Sequence, residues 1–125
     1  MQPSYGRNGI SSRGPMKVVI NVHYRGDGDS ARRFVEDMVS EGVLERVRAE
    51  GGCLGYEYFA SMEDPGHVLL VEHWEDESAL DAHSRSDNMA AISSLKNRYA
   101  LSAEVERNDD RDGPGRRWFL RAWTR

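Results

Sequence analysis

The alternation of apolar and polar positions divides the chain into strands and helices before any other property is considered. Lys17–Tyr24 (KVVINVHY) is a β-branched run and predicts a first strand. A Gly-Asp-Gly-Asp turn follows, where Asp29 or Ser30 can cap a helix. From Ala31 onward Phe34, Val35, Met38, Val39, Val43, Leu44 and Val47 recur at helical spacing, and Gly51-Gly52 ends the run. Gly42, inside that pattern, marks a weak point or kink. Cys53–Ser61 reads as a second strand, Met62–Gly66 with its Asp-Pro-Gly as a turn, and Val68–Glu75 as a third strand closing a hairpin. Asp76 can cap a short helix over 77–84 and Ser86 another over 87–97, with Met89, Ile92 and Leu95 facing inward. Ser102–Arg107 alternates and predicts a short fourth strand. The order βαββ(αα)β is an α+β, ferredoxin-like arrangement: an antiparallel sheet with helices on one face.

Two strands depart from the alternation that such a sheet needs. KVVINVH and HVLLVEHW are apolar on both sides, although the helices of so short a body can cover one face only. An uncovered apolar face is larger than soluble monomers usually expose. The pattern therefore predicts a homodimer, sheet face against sheet face, or else a monomer whose terminal segments fold over that face.

Composition narrows the partners. The chain has 125 residues, 30% charged and 38% hydrophobic, with a net charge of −4. This suits one soluble domain with a modest core. The charge is uneven: residues 1–15 carry two arginines and no acid, and residues 108–125 carry five arginines against three aspartates. That leaves a strongly acidic body at 16–107, which would repel phosphate backbones, so no nucleic acid is expected as partner. No segment approaches the roughly 20 apolar residues of a membrane span, and none resembles a signal peptide. With a single cysteine, Cys53, an internal disulfide is impossible, and a cytoplasmic location is expected. Residues 1–15, rich in Gly, Ser, Pro and Arg, are expected to be a flexible leader; 16–107 the folded domain; and 108–125 a basic, aromatic tail, disordered or packed on its own dimer. A tail of arginines among Trp118, Phe119, Leu120 and Trp123 could also touch anionic lipid or stack on single-stranded nucleic acid.

Candidate chemistry gathers at the end of the third strand, where Glu72, His73 and Trp74 arrive together. Alternation puts Glu72 on the Trp74 face, either holding a helix end or pairing with an arginine across the dimer. Val19, Asn21 and His23 share one face of the first strand. The histidines show no spacing that suggests zinc, so no metal is expected; His67, beside the turn, reads as solvated. Cys53 reads as a small core residue. GDGDS is too short for a phosphate loop, and no dinucleotide fingerprint is present, so no nucleotide or flavin cofactor is expected.

Taken together, MKVVIN, GGCLGYEYF, VLLVEHWEDESALDAH and SRSDNMAAI resemble the antibiotic biosynthesis monooxygenase (ABM) domain family over about three quarters of the chain. The resemblance implies a dimeric α+β barrel. It also implies one of several activities: cofactor-free oxidation of aromatic polyketide phenols to quinones, heme degradation, or isomerisation of small metabolites, while some members have no known activity. Heme-degrading members carry an asparagine on the first strand, a tryptophan on the helix after the third strand, and an iron-ligating histidine further on. The corresponding positions here hold Asn21, His83 and Ser93, so the iron ligand is lacking. The same correspondence places Asn21 and His83 in one pocket between sheet and helices. Cofactor-free oxygenation needs a base near neutral pH, which histidine supplies, and a donor for the oxygen anion, which an asparagine amide supplies. The expected assignment is therefore His83 as base and Asn21 as donor. Trp74, Tyr56, Tyr58, Phe59, Phe34, His23 and Glu72 are expected to line the substrate site. The expected function is a cofactor-independent monooxygenase acting on a small aromatic, polyketide-like phenol. A non-catalytic binding or stress-response protein, or a small-metabolite isomerase, remains the alternative on the same fold. Trp74 as a core or dimer anchor and His83 as a helix-dipole partner are the structural alternatives for those two side chains. An aromatic cavity of about 300 Å³ or more would favour the oxygenase, and a filled one the alternative.

Overall fold

The computed structural model describes residues 17–109 and 118–120; the expected leader and the rest of the expected tail lie outside the described residues. The elements follow in the order β1 (Val18–Arg25), α1 (Ser30–Ser40), α2 (Val43–Arg48), β2 (Cys53–Ala60), β3 (His67–Trp74), α3 (Glu77–Ser84), α4 (Asp87–Arg98), β4 (Ser102–Asp109) and β5 (Trp118–Leu120). The strands form one sheet in the order β2-β3-β1-β4-β5, with each neighbouring pair antiparallel. This is the α+β, ferredoxin-like arrangement expected from the pattern. β4 runs two residues beyond the expected Arg107 boundary, and the backbone of Trp118–Leu120 adds a short edge strand to it.

Strand parity decides which side chains meet the helices. Val18, Ile20, Val22 and Tyr24 of β1 are buried, and β3 places Val68, Leu70, Glu72 and Trp74 beside them on the same face. Phe34 of α1 packs on Tyr24 and Tyr58, while Val43, Leu44 and Val47 of α2 and Met89, Ile92 and Leu95 of α4 complete the core. All four helices therefore cover one face. On the other face Val19, Asn21 and His23 alternate with them and sit against Leu69, Val71 and His73, half-buried for the most part. Two-sided apolarity in β1 and β3 is thus real, and no described element covers the second face.

The single predicted helix breaks into two. Gly42 adopts φ 76, a left-handed conformation that ends α1 and redirects the chain into α2. A side chain there would be strained, which explains why a glycine interrupts an otherwise regular apolar stripe. Gly52, at φ 83, closes the turn into β2, and a Cβ at this position would collide with Ala79 of α3. The close approach brings the start of β2 against α3 and so positions the cluster described next. Asp76 and Ser86 cap α3 and α4 as expected, accepting from the backbone N–H of Ala79 and Met89.

Candidate active site

His83, in the last turn of α3, lies completely buried between β2, β3 and the α2–β2 turn. Its ring stacks on the Trp74 indole with centroids 4.6 Å apart and meets the Tyr56 ring edge-on at 5.8 Å. Its Nδ1 lies 3.0 and 3.1 Å from the two carboxylate oxygens of Glu50. Glu50 in turn accepts from Asn88 Nδ2 at 2.8 Å. Facing a carboxylate, Nδ1 carries the proton and donates; in the neutral form of the ring the lone pair is then on Nε2. The arrangement is a buried carboxylate–imidazole pair, oriented by an amide and backed by an aromatic plate. Beside it, Trp74 Nε1 donates to Glu72 Oε1 at 2.9 Å, both residues being fully buried.

Of the residues expected in the site, His83, Trp74, Tyr56, Tyr58, Phe34 and Glu72 do share the helix-covered face. Asn21, His23 and Phe59 do not. Register pairs Asn21 with Val71, His23 with Leu69 and Phe59 with Leu69, all on the opposite face. The expectation of one pocket holding Asn21 and His83 is therefore corrected: the sheet lies between them. The reason is the two-residue period of a strand, by which a shift of one position moves a side chain to the other face. The helix-facing neighbours of Asn21 are Ile20 and Val22. Asn21 instead donates from Nδ2 to Glu106 Oε1 of β4 at 3.3 Å, and Phe59 is 47% exposed. The expectation that His67 is solvated is corrected too. It is half-buried and bonded to His23. Glu72 meets an indole rather than an arginine from another copy, because its face is the helix-covered one.

Glu50 and Asn88 were not among the sequence candidates. They stand 33 and 5 residues from His83 in sequence, so no local spacing announces them. One signal was available: an acid just past the C-terminal end of a helix is electrostatically unfavourable there unless it has a partner.

Two cavities border the described residues, the smaller near this cluster and the larger at the opposite end of β1. One of about 330 Å³ lies along the β2 edge, lined by Arg48, Cys53, Leu54, Gly55, Tyr56 and Glu57. Arg48 Nε donates to the Tyr56 carbonyl at 2.9 Å in its wall, and burial pushes the Cys53 thiol up, keeping it protonated. The other, of about 590 Å³, lies where β1 ends and α4 terminates, with Arg25, Asp27 and Arg98 in its lining. Arg98 is held there by Asp37 and Glu41 at 2.8 Å each. Both linings are largely polar. The aromatic cluster around His83 is itself packed, the outcome that favours the non-catalytic alternative. Among the described residues, no group of three or more His, Cys, Asp or Glu side chains is placed to hold a metal ion, and no helix is long and apolar enough to cross a membrane.

The profile of the antibiotic biosynthesis monooxygenase family matches residues 17–94. The chain belongs to this family. No curated protein matches it, but solved structures do. A Bacteroides thetaiotaomicron protein of unknown function, described as a possible oxidoreductase, superposes with a TM-score of 0.67 at 18% identity, over 77% of this chain and 99% of that one. A protein of Shewanella oneidensis gives 0.63 at 23% identity, over 77% and 92%. A structure named an antibiotic biosynthesis monooxygenase gives 0.56 at 27% identity, over 70% and 92%. The ABM fold is therefore common to proteins whose sequences have diverged widely, and the side chains inside it must carry any statement about chemistry.

Proposed function

We propose that this ABM protein is a cofactor-independent monooxygenase of a small aromatic, polyketide-like phenol, with His83 as its base. The observation that supports this most is the buried Glu50–His83 pair beside Tyr56 and Trp74. Glu50 fixes the ring tautomer, so that Nε2 accepts the phenolic proton. The phenolate then gives electrons to O2; one oxygen atom enters the ring as a carbonyl and the other leaves as water. The balance needs no further reductant. His83 is buried, and Tyr56 beside it borders the cavity of about 330 Å³ on the β2 edge, the nearest described opening to the ring. An oxygen electrode tests the reading: purified protein with EDTA should consume O2 when given an anthrone- or hydroquinone-type phenol. Absence of turnover with every phenol tried would remove it.

A second reading has its own observation in favour. Trp74 and His83 are both 0% exposed, as expected of a packed structural link. On that reading the protein binds a small molecule without transforming it, and the His83–Glu50–Asn88 bonds tie α3 and α4 to the α2–β2 turn.

For either reading we place a second copy of the chain on the open sheet face, where Val19, Leu69 and Val71 otherwise meet water. Light scattering at micromolar concentration should give twice 14.2 kDa. A monomer would remove the burial argument for the second copy.

A further inference from the structure

The sheet face opposite the helices, on which we place the second copy, carries a polar chain that the proposed chemistry does not use. His67 begins β3, His23 lies on β1 and Glu106 on β4, so three adjacent strands contribute one group each. His23 Nδ1 lies 2.9 Å from His67 Nε2, and His23 Nε2 lies 3.5 Å from Glu106 Oε1. Asn21 donates to that same carboxylate oxygen. Glu106 is nearly inaccessible, whereas the His23 side chain keeps 23% of its surface in solvent.

We propose that His67, His23 and Glu106 form a one-proton chain that acts as a pH switch on this face. The reason is stereochemical. A bond between Nδ1 of one ring and Nε2 of the other needs one N–H and one lone pair. Two neutral rings satisfy it, and so does a pair carrying one extra proton. Two cationic rings cannot, because both facing nitrogens would then carry hydrogen. A proton entering at His67 Nδ1 is accommodated by transfer of the Nε2 proton to His23 Nδ1, which leaves the charge on His23 beside Glu106. A second proton must break the pair.

The surroundings of the pair agree. Arg25 of β1 faces it from one side, itself 3.6 Å from Glu104 of β4, while Asp64 approaches from the β2–β3 turn and Glu106 from β4. Burial first, then the Arg25 and His23 charges, hold the His67 imidazole below its ordinary range, against a smaller opposing effect of Asp64. A histidine whose folded pKa is depressed takes up its proton more readily when unfolded. Its contribution to stability is therefore present above the ordinary imidazole range and is lost as pH falls through that range to the lower folded value. What yields is the start of β3, where Gly26 N–H donates to the Gly66 carbonyl at 3.0 Å and His67 N–H to the Asp64 carbonyl at 3.1 Å.

Ring and amide NMR of the full 15N-labelled chain, titrated from about pH 8 to about pH 4 across the imidazole range, tests the switch. The pair should take up one proton first. Uptake of the second should coincide with movement of the Gly26 and Gly66 amide signals. Protection of the Gly26 amide against exchange, corrected for intrinsic rate, should fall there by roughly tenfold or more. His67→Gln keeps a nitrogen at the bonding position but cannot be charged, and it should abolish that acidic step while leaving the neutral-pH spectrum in place. His23→Gln should do the same, and serves if His67→Gln fails to fold. Two protons taken up with the Gly26 and Gly66 signals unmoved, or an acidic step that survives in both variants, would overturn the proposal.

Discussion

His83→Ala is expected to lower the turnover of an oxidisable phenol by roughly 10²–10⁴, the usual worth of a general base. Alanine removes Nε2, the atom assigned to take the phenolic proton, and Glu50 has no route to replace it because its carboxylate lies on the Nδ1 side of the ring. Glu50→Gln should also reduce turnover, on the order of 10² or more. An amide can present N–H to Nδ1, which favours the wrong tautomer and moves the lone pair away from substrate. Asn21→Ala should leave turnover nearly unchanged, since Asn21 faces the other side of the sheet and bonds to Glu106. Oxygen-electrode rates for the three variants, each with a thermal melt to confirm the fold, distinguish these expectations. Full activity in His83→Ala would make the imidazole a structural link and give the non-catalytic reading the lead. A large loss in Asn21→Ala would mean that the open face, not the helix-covered one, holds the reaction.

That reassignment of Asn21 also shows how far the sequence could be read. Strand and helix limits follow from local pattern, and they agree with the structure to within a residue or two, because turn residues such as Pro65, Gly66 and the caps Asp76 and Ser86 act locally. Gly42 was visible as an interruption, though only the structure shows a full break with φ 76. The faces of β1 were legible too. Val18, Ile20, Val22 and Tyr24 form an unbroken apolar set, whereas the alternate set contains Asn21 and His23. Period two would have assigned the unbroken set to the helices. The family correspondence pointed the other way and placed Asn21 with His83. Glu50, Asn88 and the His23–His67 contact were beyond the sequence. Each joins elements far apart in the chain, and their meeting depends on turns and close approaches, such as Gly52 against Ala79, that no periodicity encodes.

The largest loss of stability is expected from Trp74→Ala. Trp74 is fully buried, stacks on His83, meets Tyr56 edge-on at a centroid distance of 6.5 Å and donates to buried Glu72. Truncating so large a side chain in a packed core costs about 3–5 kcal/mol through lost burial and the cavity left behind. Loss of the indole donor to Glu72 adds roughly 1–3 kcal/mol. A domain of this size has about 5–15 kcal/mol in total, so the variant should lose a large share of its margin. At about 4–8 °C per kcal/mol, Tm should fall by roughly 20 °C or more. Trp74→Phe separates the two contributions: it retains a ring against His83 and drops the donor, so its loss should be much smaller. Leu54→Ala, on the exposed side of β2, should change stability by no more than about 0.5 kcal/mol. Circular-dichroism melts at one fixed protein concentration measure all three, which matters if a second copy stabilises the fold by mass action. A fall of less than about 5 °C for Trp74→Ala, close to 1 kcal/mol on the same scale, would mean that the helix layer is held chiefly by α1, α2 and α4. The His83 end could then open at little cost.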